Sequence, residues 1–269
     1  METIKTAFSY KNSFENIDLN ICTKSIRLLS DTFCICIHET DSKKSYSINQ
    51  YTIPSDLIEN EFIVYISEAN RQLSMECKTN IFYVYTKINT QVPTDYYTKE
   101  GDNAILSLLT SKAEDYISLS ENIEFYNFFN ISACNKSLYT NIQQHFPDFK
   151  LKTSISNLFS NLYNYSESEK KVLIFVEKLH FTILAAEKKY FLGANGFSFV
   201  NEADFTYYTV NFIRKIFIKT SDIQIIICGN IEERSPIFQS LKKYFNQTCI
   251  LQAKNETKTD HYHYYCDIF

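Results

Sequence analysis

Runs of apolar residues in the first third of the chain predict a three-strand meander, a helix and a fourth strand. The predicted elements are two strands within residues 26–39, a third at 46–53, a helix over 55–73 and a fourth strand at 81–85. Pro54 ends the third strand, and Ser55 is suited to cap the helix because its hydroxyl can accept a bond from a first-turn amide. This order is typical of a sheet covered by a helix.

The same order of elements recurs after residue 170. Its members are strands at 172–176, 180–186 and 190–199, a helix that Asn201 is suited to cap, and a strand at 223–228. Asp31 and Glu177 lie 146 residues apart, and Ser55 and Asn201 are separated by the same 146 residues. A spacing that repeats across several elements predicts an internally duplicated fold.

The remaining segments complete two lobes. They are predicted as a helix over 104–113, a strand at 123–131 and a helix over 136–146 in the first half, and a helix over 236–245 and a strand at 249–253 in the second. The polar stretch at 164–171 is the best candidate for a junction. We therefore predict an α/β protein with an N-terminal lobe at 1–164 and a C-terminal lobe at 165–269.

Composition narrows the classes of partner. Hydrophobic residues make up 45% of the chain and charged residues 22%, which is typical of a globular protein. The formal charge is −4 without a basic stripe, which argues against nucleic acid as a partner. No apolar run approaches the length of a membrane span and no signal peptide is evident, so we expect a cytoplasmic location without membrane insertion. The eight cysteines are expected to be buried, reduced thiols.

A meander, crossover helix, strand, helix and strand, present twice, resembles the superfamily of actin, hexokinase and Hsp70, with its ribonuclease H-like lobes. More closely, the chain is similar to a family of uncharacterised small bacterial proteins with an actin-like ATPase fold. It is also similar to the actin-like cytoplasmic components of pilus and secretion platforms. The resemblance implies two lobes, each a mixed sheet flanked by helices, with a nucleotide cleft between them.

In that superfamily, the turn between the first two strands of each half carries Asp-x-Gly. The carboxylate organises metal and water, and the glycine lets backbone amides approach phosphate. The corresponding turns here read Asp31-Thr32-Phe33 and Glu177-Lys178-Leu179. Each keeps an acid, but Phe33 and Leu179 stand at the glycine positions. The resemblance therefore implies degenerate phosphate loops, and a bound nucleotide is disfavoured.

The superfamily contacts adenosine through a glycine pair after the fourth strand of the second half. Here Gly229 and Asn230 follow that strand, so one glycine is kept. A Gly-Asn pair after a buried strand is also an ordinary turn. The candidate positions for binding a nucleotide are then Asp31, Thr32, Glu177, Lys178, Gly229 and Asn230.

Other motifs add no chemistry. His261-x-His263-x-x-Cys266 has metal-ligand residue types at short spacing, but it lacks a fourth ligand and is interpreted as a surface strand or chain end. No phosphate-binding glycine loop, dinucleotide fingerprint or nucleophile elbow occurs. We predict no catalytic residue, no metal ligand and no cofactor.

Two hypotheses remain at the sequence level. The first is a non-catalytic actin-like module that binds a protein partner or itself. The 42 tyrosines and phenylalanines suit such a surface. The second is a diverged nucleotide-binding protein, ATPase or kinase, with Asp31 and Glu177 as metal-facing acids and Gly229 beside the base. The loss of the loop glycines favours the first.

Overall fold

The computed structural model describes residues 6–11, 17–29, 32–42, 45–53, 63, 73, 75–165 and 168–251. The chain divides into two compact units, unit 1 (Met1–Ser156) and unit 2 (Asn157–Phe269). Apart from single positions 63 and 73, the predicted helix over 55–73 lies outside the described residues, and so does the His261–Cys266 motif. The predicted lobe boundary after residue 164 stays a prediction.

Unit 1 contains a six-stranded mixed sheet in the order β1-β4-β3-β2-β5-β9. The central strand β2 runs antiparallel to β3 and parallel to β5. A core of buried side chains, including Ile26, Phe33, Phe82 and Ile142, joins one face of this sheet to α2. The elements of the sheet and its helix are β1 (Thr6–Lys11), β2 (Cys22–Leu28), β3 (Thr32–Glu39), β4 (Ser45–Thr52), β5 (Thr79–Val84), α2 (Lys136–His145) and β9 (Lys150–Thr153).

A second, three-stranded sheet in unit 1 was not predicted. Its order is β6-β8-β7, and its elements with the adjoining helix are β6 (Asn89–Pro93), α1 (Asp102–Leu109), β7 (Tyr116–Ile123) and β8 (Phe128–Asn135). The single strand predicted at 123–131 is wrong, because a turn of 3₁₀ helix and Asn127 separate β7 from β8. Asn127 adopts a left-handed φ of 58°, which asparagine tolerates better than most residues.

Unit 2 contains a five-stranded mixed sheet in the order β12-β11-β10-β13-β14. Asn201 caps α4 as predicted, since its side chain accepts a bond of 3.0 Å from the amide of Asp204. Phe205, Ile213 and Phe238 pack α4 and α5 onto the sheet. The elements are α3 (Ser154–Asn164), which begins in unit 1, β10 (Lys170–Val176), β11 (His180–Glu187), β12 (Tyr190–Ser198), α4 (Glu202–Ile216), β13 (Ile223–Gly229), α5 (Pro236–Tyr244) and β14 (Thr248–Ile250).

The strands β4-β3-β2-β5-β9 and β12-β11-β10-β13-β14 have the same order and the same directions. Leu28 pairs with Phe33 at the first hairpin, and Val176 pairs with Phe181 at the second. Equivalent positions there are thus 148 residues apart, and the predicted spacing of 146 was two residues too short. Strand ends leave a weak signal in sequence, which explains the error. Internal duplication itself stays a prediction.

A buried lysine on the central strand of each sheet donates to backbone carbonyl groups outside that sheet. Lys24 Nζ donates to the carbonyl oxygens of Leu73 and Met75 at 2.6 and 2.7 Å. Lys171 Nζ donates to those of Tyr163 and Tyr165 at 3.3 and 2.5 Å. Burial lowers the pKa of both lysines, because the charged form loses solvation. Each lysine thus donates hydrogen bonds from a buried strand position to two backbone carbonyl oxygens.

Candidate functional site

The carboxyl ends of β10 and β13 bring three of the six predicted site residues together in unit 2. Gly229 ends β13 and pairs with Val176, the last residue of β10. Glu177 follows Val176 directly, and Asn230 follows Gly229. Lys178 is exposed in the turn after Glu177. Ligands of open α/β sheets bind outside the carboxyl ends of the strands, so this edge is the candidate binding site of unit 2.

The backbone conformation at position 229 requires a glycine. Its φ is 94°, a conformation that favours glycine. A Cβ at this position would lie 2.1 Å from the carbonyl oxygen of Val176, which is backbone and cannot move aside easily. The glycine therefore lets β13 end in close contact with β10, and this structural need accounts for its presence.

Backbone amides at this edge donate to carbonyl groups of the protein itself. The amide of Asn230 donates to Val176 O at 2.7 Å, and that of Ile231 donates to Gly229 O at 2.9 Å. The amide of Glu177 donates to His180 O at 2.8 Å, which closes the turn between β10 and β11. An anion site at a turn needs amides that point to the ligand, and these three amides are already used.

Glu177 is buried, with 2% of its surface exposed. His180 Nδ1 lies 3.8 Å from Glu177 Oε2, and the imidazole packs against Gly196, where a Cβ would be 3.0 Å from His180 Cε1. His180 was not among the predicted site residues. Its signal in the sequence is its position three residues after Glu177, on the other side of a tight turn.

The equivalent edge of unit 1 has two of the same backbone bonds, made by residues with different side chains. The amide of Leu29 donates to Thr32 O at 2.9 Å, as that of Glu177 does to His180 O. The amide of Tyr85 donates to Leu28 O at 3.1 Å, as that of Asn230 does to Val176 O. Leu29 thus holds the place of Glu177. This corrects the predicted correspondence of Glu177 with Asp31, a residue that lies outside the described part of the chain.

Phe33 and Leu179, which were predicted to occupy matching positions in the two turns, have different surroundings. Phe33 is fully buried in the core of unit 1, with its ring centroid 6.2 Å from that of Tyr51. Leu179 is 59% exposed in its turn. The interpretation that Phe33 stands at a glycine position of a phosphate loop is therefore wrong, because its side chain points into the core and its equivalent in unit 2 is Phe181. Thr32 is buried as the first residue of β3 and pairs with Thr52.

The described ranges contain no group of three or more His, Cys, Asp or Glu side chains arranged to hold a metal ion. None of the helices described is both long and apolar enough to cross a membrane. The prediction of buried cysteines is confirmed at Cys22, Cys34, Cys36, Cys134 and Cys228. Burial is the main cause that raises the pKa of Cys22 to about 11, which keeps this thiol protonated.

Comparison with known sequences places the chain in a family. A protein-family model described as "Protein of unknown function (DUF3822)" matches residues 11–248. The chain belongs to the DUF3822 family. No curated protein sequence matches it significantly.

Comparison with solved structures establishes the fold. A Bacteroides thetaiotaomicron VPI-5482 protein with an actin-like ATPase fold and unknown function aligns with a TM-score of 0.77 and 22% identity, over 88% of this chain and 94% of that chain. The PilM-PilN type IV pilus biogenesis complex aligns with a TM-score of 0.54 and 8% identity, over 86% and 88%. An inorganic polyphosphate/ATP-glucomannokinase from an Arthrobacter strain aligns with a TM-score of 0.51 and 7% identity, over 93% and 96%.

These similarities confirm the predicted resemblance and fold class. This member of the DUF3822 family has the actin-like fold, with mixed sheets flanked by helices. At identities of 22% and below, the structural similarities define the fold and leave activity undetermined.

Proposed function

We propose that this DUF3822 protein is an actin-like protein-interaction module that does not use nucleotide chemistry. The observation that carries the proposal is that backbone amides at the carboxyl edges of both sheets already donate hydrogen bonds within the protein. Five of them, at Leu29, Tyr85, Glu177, Asn230 and Ile231, donate to carbonyl groups of the protein. The position of Glu177 is taken in unit 1 by Leu29, which is 3% exposed and carries no charge.

The energetic consequence is large. Burying phosphate oxygens without hydrogen-bond donors costs several kcal/mol, and each ~1.4 kcal/mol weakens binding about tenfold. A micromolar nucleotide site would therefore weaken to millimolar or worse. The fold would then serve as a scaffold, and its surface would carry the function.

The similarity to the PilM-PilN complex is in keeping with an interaction role. That solved structure is an assembly of two proteins, so the fold is used there in a protein complex. At 8% identity, this similarity identifies no partner for the present chain. The predicted cytoplasmic location and the absence of a nucleic-acid partner stay predictions.

A diverged nucleotide-binding protein is the second candidate, and the arrangement in unit 2 favours it. The buried carboxylate of Glu177 lies 3.8 Å from Nδ1 of the half-buried His180, at the same edge as Gly229 and Asn230. The glucomannokinase that shares the fold is described as using polyphosphate or ATP. This candidate requires a ligand that is held by unit 2 side chains instead of the five bonded amides.

Calorimetric titration of the full chain with ATP and ADP in the presence of magnesium separates the two candidates. The matched variant is Glu177→Gln, which keeps the shape of the side chain and removes its charge. We expect no heat of binding up to millimolar nucleotide for either protein. Micromolar binding that Glu177→Gln abolishes would establish the second candidate and overturn the proposal. Micromolar binding that the variant keeps would also overturn it, by placing the nucleotide elsewhere.

A further inference from the structure

A groove of about 890 Å³ runs between α4 and α5 of unit 2, and none of the predicted nucleotide-binding positions lines it. Its size is in the range of ligand-binding clefts. A hydrogen bond of 3.2 Å from Thr206 Oγ1 to Ser240 Oγ joins the two helices across the groove. The side chains that bear on its chemistry are Glu202, Tyr207, Val210 and Arg214 of α4, and Tyr244 of α5.

Two tyrosines of the groove expose much of their surface. Tyr207 is 65% exposed and Tyr244 is 59% exposed. The ring of Tyr207 lies 5.5 Å from that of Tyr208, which stacks on the ring of Phe197 at 5.1 Å with an angle of 8°. Contact with a packed ring limits the freedom of Tyr207, so less conformational entropy is lost when a partner covers it. Exposed tyrosines held in this way are typical of the residues that contribute most to protein interfaces.

The two ends of the groove carry opposite charges. Glu202 begins α4, and Arg214 lies in its last turn. The twelve residues from one to the other correspond to about 18 Å along the helix axis. Since both side chains line the groove, the charges stand at opposite ends of one continuous surface.

Three lysines reinforce the positive end. Strands β12, β13 and β14 run parallel, so α4 and α5 run in the same direction and their last turns lie at the same edge of the sheet. Those turns carry Arg214 with Lys215, and Lys242 with Lys243, and all four side chains are exposed. Within the described ranges, no carboxylate forms an ion pair with any of them. Their charges are therefore available to an acidic partner.

We infer that this groove binds a short peptide segment of a partner protein. An acidic residue of the peptide would face Arg214, apolar side chains would cover the two tyrosines, and a basic residue would face Glu202. A span of about 18 Å accommodates roughly five or six residues of extended chain. Nucleic acid fits less well, because the chain has a formal charge of −4 and Glu202 would repel phosphates. This inference rests on the proposed interaction role and names the chemistry of the partner.

Selection from a displayed library of random twelve-residue peptides on the immobilised full chain tests the inference. We expect enriched peptides that combine apolar residues with an acidic residue on one side and a basic residue on the other. In fluorescence anisotropy titrations, Arg214→Glu and Tyr207→Ser should each weaken their binding at least about tenfold. Arg234→Glu makes the matched change at an exposed position outside the groove and should leave binding unchanged.

Exchange of the two end charges gives the sharpest test of complementarity. The double variant Arg214→Glu with Glu202→Lys should lose the selected peptides and bind versions in which acidic and basic residues are exchanged. Circular dichroism checks that each variant is folded. Binding that stays unchanged in the double variant or in Tyr207→Ser would overturn the inference by placing the peptides elsewhere.

Two further outcomes would also overturn the inference. One is the absence of enriched peptides. The other is self-association of the wild type in sedimentation velocity that Arg214→Glu abolishes, which would make a second copy the occupant. Peptide selection reports on the groove, whereas nucleotide calorimetry reports on the carboxyl edges. A failed selection therefore overturns only the peptide site, and nucleotide binding overturns only the proposed function.

Discussion

The carboxyl edges of the two sheets share their backbone hydrogen bonds and differ in side chains. The backbone amides of Leu29 and Tyr85 in unit 1 donate to carbonyl oxygens at equivalent positions to those that accept from Glu177 and Asn230 in unit 2. At the ends of the parallel strands, Val84 occupies the place of Gly229. Leu29 of unit 1 therefore stands where unit 2 carries Glu177, a buried acid beside His180.

This difference shows that the backbone bonds of the fold do not depend on the chemistry at its edges. Main-chain donors and acceptors must be satisfied wherever strands end, and the same bonds do so with leucine or glutamate in the turn. Site residues can be gained or lost on such a scaffold without altering it. The two edges therefore allow paired experiments in which the backbone is held constant.

The largest expected effect concerns Phe33 and Leu179, which the sequence alone places at matching positions of the two turns. Phe33→Ala should lower the free energy of unfolding by about 3–5 kcal/mol, because it empties a fully buried site in the core of unit 1. Leu179→Ala should change it by less than ~0.5 kcal/mol, because Leu179 is mostly exposed. Urea unfolding measures both. Equal losses would show that the two residues do occupy equivalent positions.

Gly229→Ala should lower the free energy of unfolding by roughly 3 kcal/mol, because the backbone conformation disfavours a side chain and the new Cβ would contact the carbonyl of Val176. Gly101→Ala is the matched control. Its Cβ would lie 3.1 Å from Thr98 Oγ1, a side chain that can rotate away, and we expect a loss under about 1 kcal/mol. If Gly229→Ala is as stable as the control, the close approach of β13 to β10 is not required.

Lys171→Met should destabilise the protein by about 1–3 kcal/mol, because two carbonyl oxygens at the C-terminal end of α3, those of Tyr163 and Tyr165, lose their donor. Burial lowers the pKa of Lys171 in the folded state, so the folded protein releases this proton before the unfolded chain does. The free energy of unfolding of the wild type therefore rises with pH between the lowered pKa of Lys171 and the ordinary value of 10.5. The variant lacks this increase.

The difference between wild type and Lys171→Met should accordingly widen at alkaline pH, as measured by urea unfolding at several pH values. Lys170→Met is the control, since Lys170 Nζ makes an exposed bond of 3.2 Å to Lys219 O. A difference that narrows with rising pH would contradict the assigned burial of Lys171.

Much of the fold could be predicted because apolar periodicity reports burial directly. Strands β10, β11 and β13 are buried nearly throughout, and their positions follow from continuous apolar runs. The cap of α4 followed from Asn201 alone. The small sheet of unit 1 was missed because β7 is mostly half-buried and β8 continues its apolar pattern across a turn that only Asn127 marks.

The candidate site was harder to predict because it depends on register. A shift of two residues changes which side chain is equivalent to Glu177, from Asp31 to Leu29, and no apolar pattern fixes a turn to that accuracy. The contact of His180 with Glu177 and Gly196 depends on strand pairing, which the sequence does not display.

Hydrogen exchange with and without millimolar magnesium ATP tests the central claim most directly, because it reads the amides themselves. The account predicts unchanged exchange at Leu29, Tyr85, Glu177, Asn230 and Ile231, since each amide keeps its bond to a carbonyl of the protein. Calorimetry under the same conditions should detect no binding. New protection of the Glu177 turn or of Asn230 and Ile231 on adding nucleotide would show that phosphate reaches these amides, and would contradict the account.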